Sequence, residues 1–263
     1  SSTGSVRQSG TQLEVQLTAE DEEAFRGLYL RESLILAKEH GDPVDEAVYC
    51  EVMFDKETSG EHPEHRQFIY EKVKPFCEKE LGIPFTILRS DRTYVDVFRH
   101  IITKGPNEGK QYGFAYPGMC AINRDCKIPP IRKYWATNSE DVVQYVGIAF
   151  DEQERLMRMQ GTNQISLLAK YGLSEMDATK LCVRRGMYSP CYDFADRNGC
   201  WFCPNCKDRE WANLIFNHEN LFDKLIALEN DYPNRARRCL TINETPTELK
   251  KRILNGGEQL CLL

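Results

Sequence analysis

The chain has 263 residues, is 41% hydrophobic and 28% charged, and carries a formal net charge of −6. That is enough apolar material for a sizeable core, yet no run of about 18 apolar residues is present to cross a bilayer. The acidic balance argues against a broad electrostatic grip on nucleic acid, leaving room only for a local basic patch.

Residues 1–10 are rich in Ser and Gly and are expected to be disordered, and the first 20 residues form a flexible start. Leu13, Val15 and Leu17 alternate with polar residues, which predicts a strand. The acidic run Glu20 to Glu23 reads as a solvated helix start. A helix follows over 25–40, with Leu30, Leu34 and Ala37 on one face and Gly41 ending it. Residues 47–54 read as a buried strand. Pro63 opens a helix to about residue 80, kinked at Pro75. A strand is expected over 83–88 and a helix over 94–102. Residues 103–119 form a long loop containing Gly and Pro, a kind that often carries function. A short helix over 127–135 and an apolar strand over 142–150 complete this part. Such alternation over 21–160 predicts an α/β domain, a parallel sheet with helices on both faces. Its ligands would bind beyond the carboxyl ends of the strands.

Residues 161–263 predict a mostly helical lobe that carries a cysteine metal site. Ser174 and Asp177 form a capping box, with Gly186 at the end of that helix. Leu214, Leu221, Leu225 and Leu228 keep helical spacing, and Thr245 to Glu248 is a second capping box. No internal repeat is visible.

Eleven cysteines, an odd number, suit a reducing cytoplasm and a metal site better than a secreted disulfide framework. Cys200, Cys203 and Cys206 fall within seven residues as C-x-x-C-x-x-C, so one turn can aim two sulfurs at one point. Cys120 and Cys126 add a second pair. Cys120, Cys126, Cys200 and Cys203 would complete either a zinc site or an iron–sulfur cluster, with Cys206 and Cys191 as rivals for any place. The other cysteines read as core or surface thiols.

Gly147, at the end of an apolar strand, would let a ligand approach. Asp151 and Glu152 follow it, and Arg155 would hold a phosphate or sulfate. The competing reading is an ordinary helix start. Lys104, Lys110, Lys127, Arg132 and Lys133 surround the long loop, which suggests an anionic ligand. His62 and His65 read as surface residues capping a helix.

Taken together, four segments resemble the phosphoadenosine phosphosulfate reductase-like branch of the PP-loop ATP-pyrophosphatase superfamily. They are Glu51 to Asp55, Gly113 to Lys127 with the following Ile-Pro-Pro-Ile, Val146 to Glu152 with Arg155, and Ser189 through Asn205. The resemblance covers about residues 28–255 and implies an adenine nucleotide α-hydrolase-like fold. It also implies an adenine nucleotide or sulfated nucleotide as ligand, sulfur transfer or reduction as chemistry, and an iron–sulfur or zinc site beside the pocket. The family's Ser-Gly-Gly-x-Asp-Ser loop aligns with residues 29–33, Tyr-Leu-Arg-Glu-Ser, where only Ser33 matches outright. Side chains replace glycines there, so ATP is expected to be a poor ligand. Two further readings stand beside an enzyme. One is a non-catalytic scaffold for protein or nucleic acid, and the other a subunit of a tRNA or DNA sulfur-modification complex.

Overall fold

The computed structural model describes residues 4–9, 30–118, 120–138, 142–195, 199–231 and 234–260. Strand β1 (Gly4–Ser9) precedes helix α1 (Leu30–His40), β2 (Glu46–Cys50) and α2 (Pro63–Phe68). Helix α2 continues through π-turns at Ile69–Val73 and Phe76–Leu81. Next come β3 (Phe85–Leu88), α3 (Tyr94–Arg99) and β4 (Gln111–Gly113). A π-turn at Asn123–Lys127 leads into α4 (Ile128–Asn138). After β5 (Val142–Tyr145) come α5 (Gln153–Arg158), β6 (Gln164–Ile165), α6 (Leu167–Lys170) and α7 (Glu175–Arg184). The last elements are α8 (Asp208–Asn217), α9 (Glu219–Asp231), β7 (Arg235–Arg237) and α10 (Pro246–Leu260).

The fold is mixed α/β. The main sheet has the order β3-β2-β1-β5-β6. Strand β2 runs parallel to β3, and β5 to β6, whereas β1 is antiparallel to both β2 and β5. Four strands therefore share one direction, and the expected parallel sheet is corrected to a mixed one with an antiparallel centre. That centre is residues 4–9, within the stretch 1–10 that composition had marked as disordered. Val6 stands opposite Ala47 on one side and Tyr145 on the other. Pairing on both sides satisfies backbone donors and acceptors whatever the side chains are. The strand expected near Leu13 and the helix start at Glu20 lie outside the described residues.

Two strands stop earlier than their apolar runs, β2 at Cys50 and β5 at Tyr145. Val52, Phe54, Ile148 and Ala149 remain buried although the backbone has left the main ladder. Burial beyond the ladder is why the runs look like longer strands. The helix from Pro63 is not broken at Pro75, because π-turns on either side accommodate a residue with no N–H to donate. The helix expected from Lys127 begins at Ala121 instead. Within the long loop, β4 pairs with β7, and Gly113 there has φ +82°. A Cβ on Gly113 would lie 2.2 Å from the Arg237 carbonyl oxygen, so only glycine fits. The capping box at Ser174 and Asp177 and the reciprocal bonds of Thr245 and Glu248 form as their sequences predict.

Two cores hold these elements. Leu34, Tyr49, Phe68, Phe85, Leu168 and Leu181 belong to the first, which joins α1 and the sheet to α2, α6 and α7. Phe54, Tyr94, Phe98 and Phe114 meet Trp201, Phe202, Trp211, Phe222 and Leu249 in the second. Trp201 and Phe202, from the middle of the cysteine loop, thus plug the second core. Trp201 Nε1 also donates to the Ser59 carbonyl at 2.8 Å. Among the described residues no helix is long and apolar enough to cross a membrane.

Candidate functional site

Polar and charged side chains are seldom fully buried, so a concentration of them marks a region that needs explaining. One such region begins where α1 starts. Arg31, Glu32 and Ser33 are all buried. Arg31 donates to the Met187 carbonyl at 2.7 Å and to the Tyr192 hydroxyl at 3.3 Å. The Cys182 thiol donates to Glu32 Oε1 at 2.8 Å. Burial raises the Glu32 pKa, with Arg31 pulling against it. His65 is buried too, its Nδ1 2.9 Å from Ser189 Oγ. Burial, then the nearby charge of Arg31, holds the His65 pKa well below the ordinary imidazole value. His62 and Lys127 push in the same direction. The reading of His62 and His65 as surface capping residues is therefore corrected: both are 1% exposed.

Lys127 extends the region towards the cysteine loop. Its Nζ lies 3.9 Å from Glu61 Oε1, and both residues are buried. Neither carboxylate oxygen of Glu61 has a hydrogen-bond partner among the described residues. Burial works against the Lys127 charge, but Glu61 and the thiols of Cys200, Cys50 and Cys120 outweigh it and raise its pKa. The backbone of Glu61 pairs with Cys200, and Trp201 N donates to the Gly60 carbonyl at 3.0 Å. Gly60 lets the loop dock, since a Cβ there would come within 2.8 Å of the Phe202 ring. Cys203 N donates to Cys200 O, and Cys206 N to Cys203 O, each at 3.0 Å, so the three cysteines follow two successive turns.

The thiols act on one another. The Cys200 pKa is pushed up to about 12, by burial first and by Glu61 next. Cys120 is raised by burial and by Cys203. Tyr94 is raised by burial and then by Cys203 and Cys200. Cys126 is fully buried in the second core, where burial, Asp125 and Cys50 act on its thiol and the Cys50 Sγ lies 3.8 Å from its carbonyl.

A third group lies just beyond β2 and β3. The Glu51 carboxylate, wholly buried, accepts from Arg66 Nε at 2.6 Å, Arg89 Nε at 2.9 Å, Arg89 Nη2 at 2.6 Å and the Tyr70 hydroxyl at 3.0 Å. Burial alone would raise its pKa, but these bonds hold it below the usual value. Cys50 responds to Lys127, Glu61 and Glu51 together, which ties this group to the thiol region.

The remaining expected residues are placed more plainly. Ser33 is buried in the first turn of α1. Gly147 follows β5 and is half-buried. Asp151 is exposed and accepts from the Glu175 N–H at 3.1 Å, at the start of α7. Glu152 accepts from the Ala149 N–H at 2.9 Å and pairs with Arg155 three residues on. Arg132 and Lys133 are exposed on α4, whereas Lys127 is inside, so the basic residues of the loop do not make one surface patch. Glu61, Arg66 and Arg89 enter the region without having been singled out in the sequence, whereas Glu51 and Ser189 had been named as the starts of two resembling segments.

Among the described residues, no three His, Cys, Asp or Glu side chains form a group able to hold one metal ion. The donor chemistry nevertheless fits a cationic group. Once deprotonated, Cys120, Cys200 and Cys203 would stand with Glu61 against the single charge of Lys127. No family model, curated protein or solved structure matches the chain.

Proposed function

We propose that the chain is a phosphoadenosine phosphosulfate reductase-like protein that binds an adenine nucleotide or sulfated nucleotide where β2 and β3 end. Its chemistry in this reading is sulfur transfer or reduction, on an adenine nucleotide α-hydrolase-like scaffold. The observation that carries the reading is the set of buried, mutually interacting groups Arg31, His65, Lys127 and Glu61, with the half-buried Cys200 and Cys203 and the exposed Cys120 beside them. Cys120, Cys200 and Cys203 would hold an iron–sulfur cluster or zinc, with Cys206, from the same loop, as the fourth thiolate. When bound, such a group keeps its thiolates deprotonated, and an iron–sulfur cluster would also supply electrons. Lys127 would keep a positive charge beside them, and Trp201 and Phe202 would hold the loop in place.

A second reading, the non-catalytic scaffold or modification subunit, is favoured by one feature. Arg31 and Glu32 are committed to Met187, Tyr192 and Cys182 rather than leaving a phosphate cradle open. Calorimetric titration with adenosine phosphosulfate, adenosine monophosphate and ATP separates the two. Saturable binding of the first two, with ATP weaker, supports the first reading. No binding of any of the three supports the scaffold, and tight ATP binding with pyrophosphate release contradicts the account of residues 29–33.

A further inference from the structure

We propose that Arg66 and Arg89, clamped on the buried Glu51 carboxylate, form a binding site for a phosphate or sulfate group. The site stands on these residues alone; that a nucleotide carries the group rests on the proposed function. One carboxylate faces two guanidiniums, which leaves a surplus positive charge. The Glu51 side chain is 0% exposed, but those of Arg66 and Arg89 are 42% and 48% exposed. Arg66 spends only Nε on the carboxylate, and Arg89 spends Nε and Nη2 on Glu51 and Tyr70. Among the described residues, Nη1 and Nη2 of Arg66 and Nη1 of Arg89 donate to no protein group. The Arg66 guanidinium is further fixed over the Tyr70 ring, 4.7 Å from its centroid. Each fork is therefore held at one end and open at the other, the arrangement that captures a tetrahedral oxyanion in two-point contacts.

The position agrees with the chemistry. Glu51 N donates to the Leu88 carbonyl at 2.9 Å, so Glu51 and Arg89 directly follow the paired carboxyl ends of β2 and β3. Ligands of open α/β sheets bind at that edge. The next residue inward, Cys50, feels Glu51, Glu61 and Lys127 together, so a bound anion would adjoin the thiol region. Arg66 serves Glu51 Oε1 and Arg89 serves Oε2, and the pair carries one positive charge more than the carboxylate can neutralise.

The test is titration of the full chain with inorganic phosphate, sulfate and adenosine monophosphate at low salt, for wild type, Arg66→Lys, Arg89→Lys and the control Arg252→Gln on α10. Lysine keeps a charge for Glu51 but loses the fork. Each lysine variant is expected to bind phosphate about tenfold more weakly, the control to match wild type, and wild-type affinity to fall as salt rises. Unchanged phosphate affinity with a lowered melting temperature would mean the arginines serve Glu51 alone and would overturn the site. Wild type that binds none of the three probes overturns it as well. Phosphate bound no less tightly than the nucleotide would sink the nucleotide reading while leaving the site. Nucleotide binding indifferent to both variants would do the reverse. Should a variant fail to fold, phenylglyoxal labelling of wild type decides: phosphate protects Arg66 and Arg89, or the site is wrong.

Discussion

Cys200 and Cys203 sit in a loop whose aromatic residues are locked into a core, so their sulfurs are positioned before any metal arrives. Under the proposed function, Cys200→Ser and Cys203→Ser each remove most of the iron or zinc from anaerobically purified protein, measured by elemental analysis and absorption. Cys126→Ala leaves the metal in place, because that thiol belongs to the second core; full metal in a Cys200→Ser, Cys203→Ser double variant would contradict this. His65 gives a pH prediction. Its folded pKa is depressed, so the unfolded chain binds the proton more readily, and stability rises with pH. The contribution is complete above the unfolded value of about 6.5 and is lost as pH falls below it. Thermal melts of His65→Asn should show a flatter dependence between pH 5 and 7 (roughly the range of imidazole titration) than wild type. An identical slope in both would remove His65 as the cause. The cysteine loop was legible from spacing alone. Glu61, His62 and His65 were not, because next to a proline that opens a helix they look like a solvated first turn. Their burial is set by a loop about 140 residues away in sequence, as the Trp201 to Ser59 bond shows at a separation of 142.

At the scale of elements, the joints matter more than the helices. Trp201 fills the second core and satisfies the Ser59 carbonyl, so Trp201→Ala should cost about 3–5 kcal/mol of stability in chemical denaturation. A loss below about 1 kcal/mol would mean that the loop does not plug this core. Gly113→Ala meets both a positive φ and a backbone oxygen, and its cost should exceed about 1 kcal/mol. The helix starts that carry a capping box, at Ser174 and Thr245, were the most readable features, since such boxes are local and act through three residues. Strand ends were the least readable. Val52, Phe54, Ile148 and Ala149, beyond β2 and β5, stay buried outside the main ladder, and hydrophobicity reports burial rather than hydrogen bonding. The strand β4 was invisible for the complementary reason, as its partner β7 lies more than a hundred residues later.

For the whole molecule, alternation of strands and helices correctly indicated a mixed α/β fold and three of the strands that share one direction, but neither β6 nor the antiparallel strand at the centre of the sheet. Composition alone made residues 4–9 look like a linker, and only the open ladders of β2 and β5 give them a place. The two cores likewise ignore chain order: α3 and β4 pack with the cysteine loop and the final helices, while α6 and α7 return to the sheet. The result places buried charge and thiols together at one edge, which is the basis of the functional reading. A surface cleft of about 600 Å³ between α1 and α7, lined by Leu36, Leu173, Lys180 and Arg184, offers a competing location. Hydrogen–deuterium exchange of wild type with and without adenosine monophosphate distinguishes them directly. The account predicts slowed exchange in residues 51–66, 88–92, 120–127 and 199–206. Protection confined to 36–39 and 173–184, or none at all at saturating nucleotide, would contradict it.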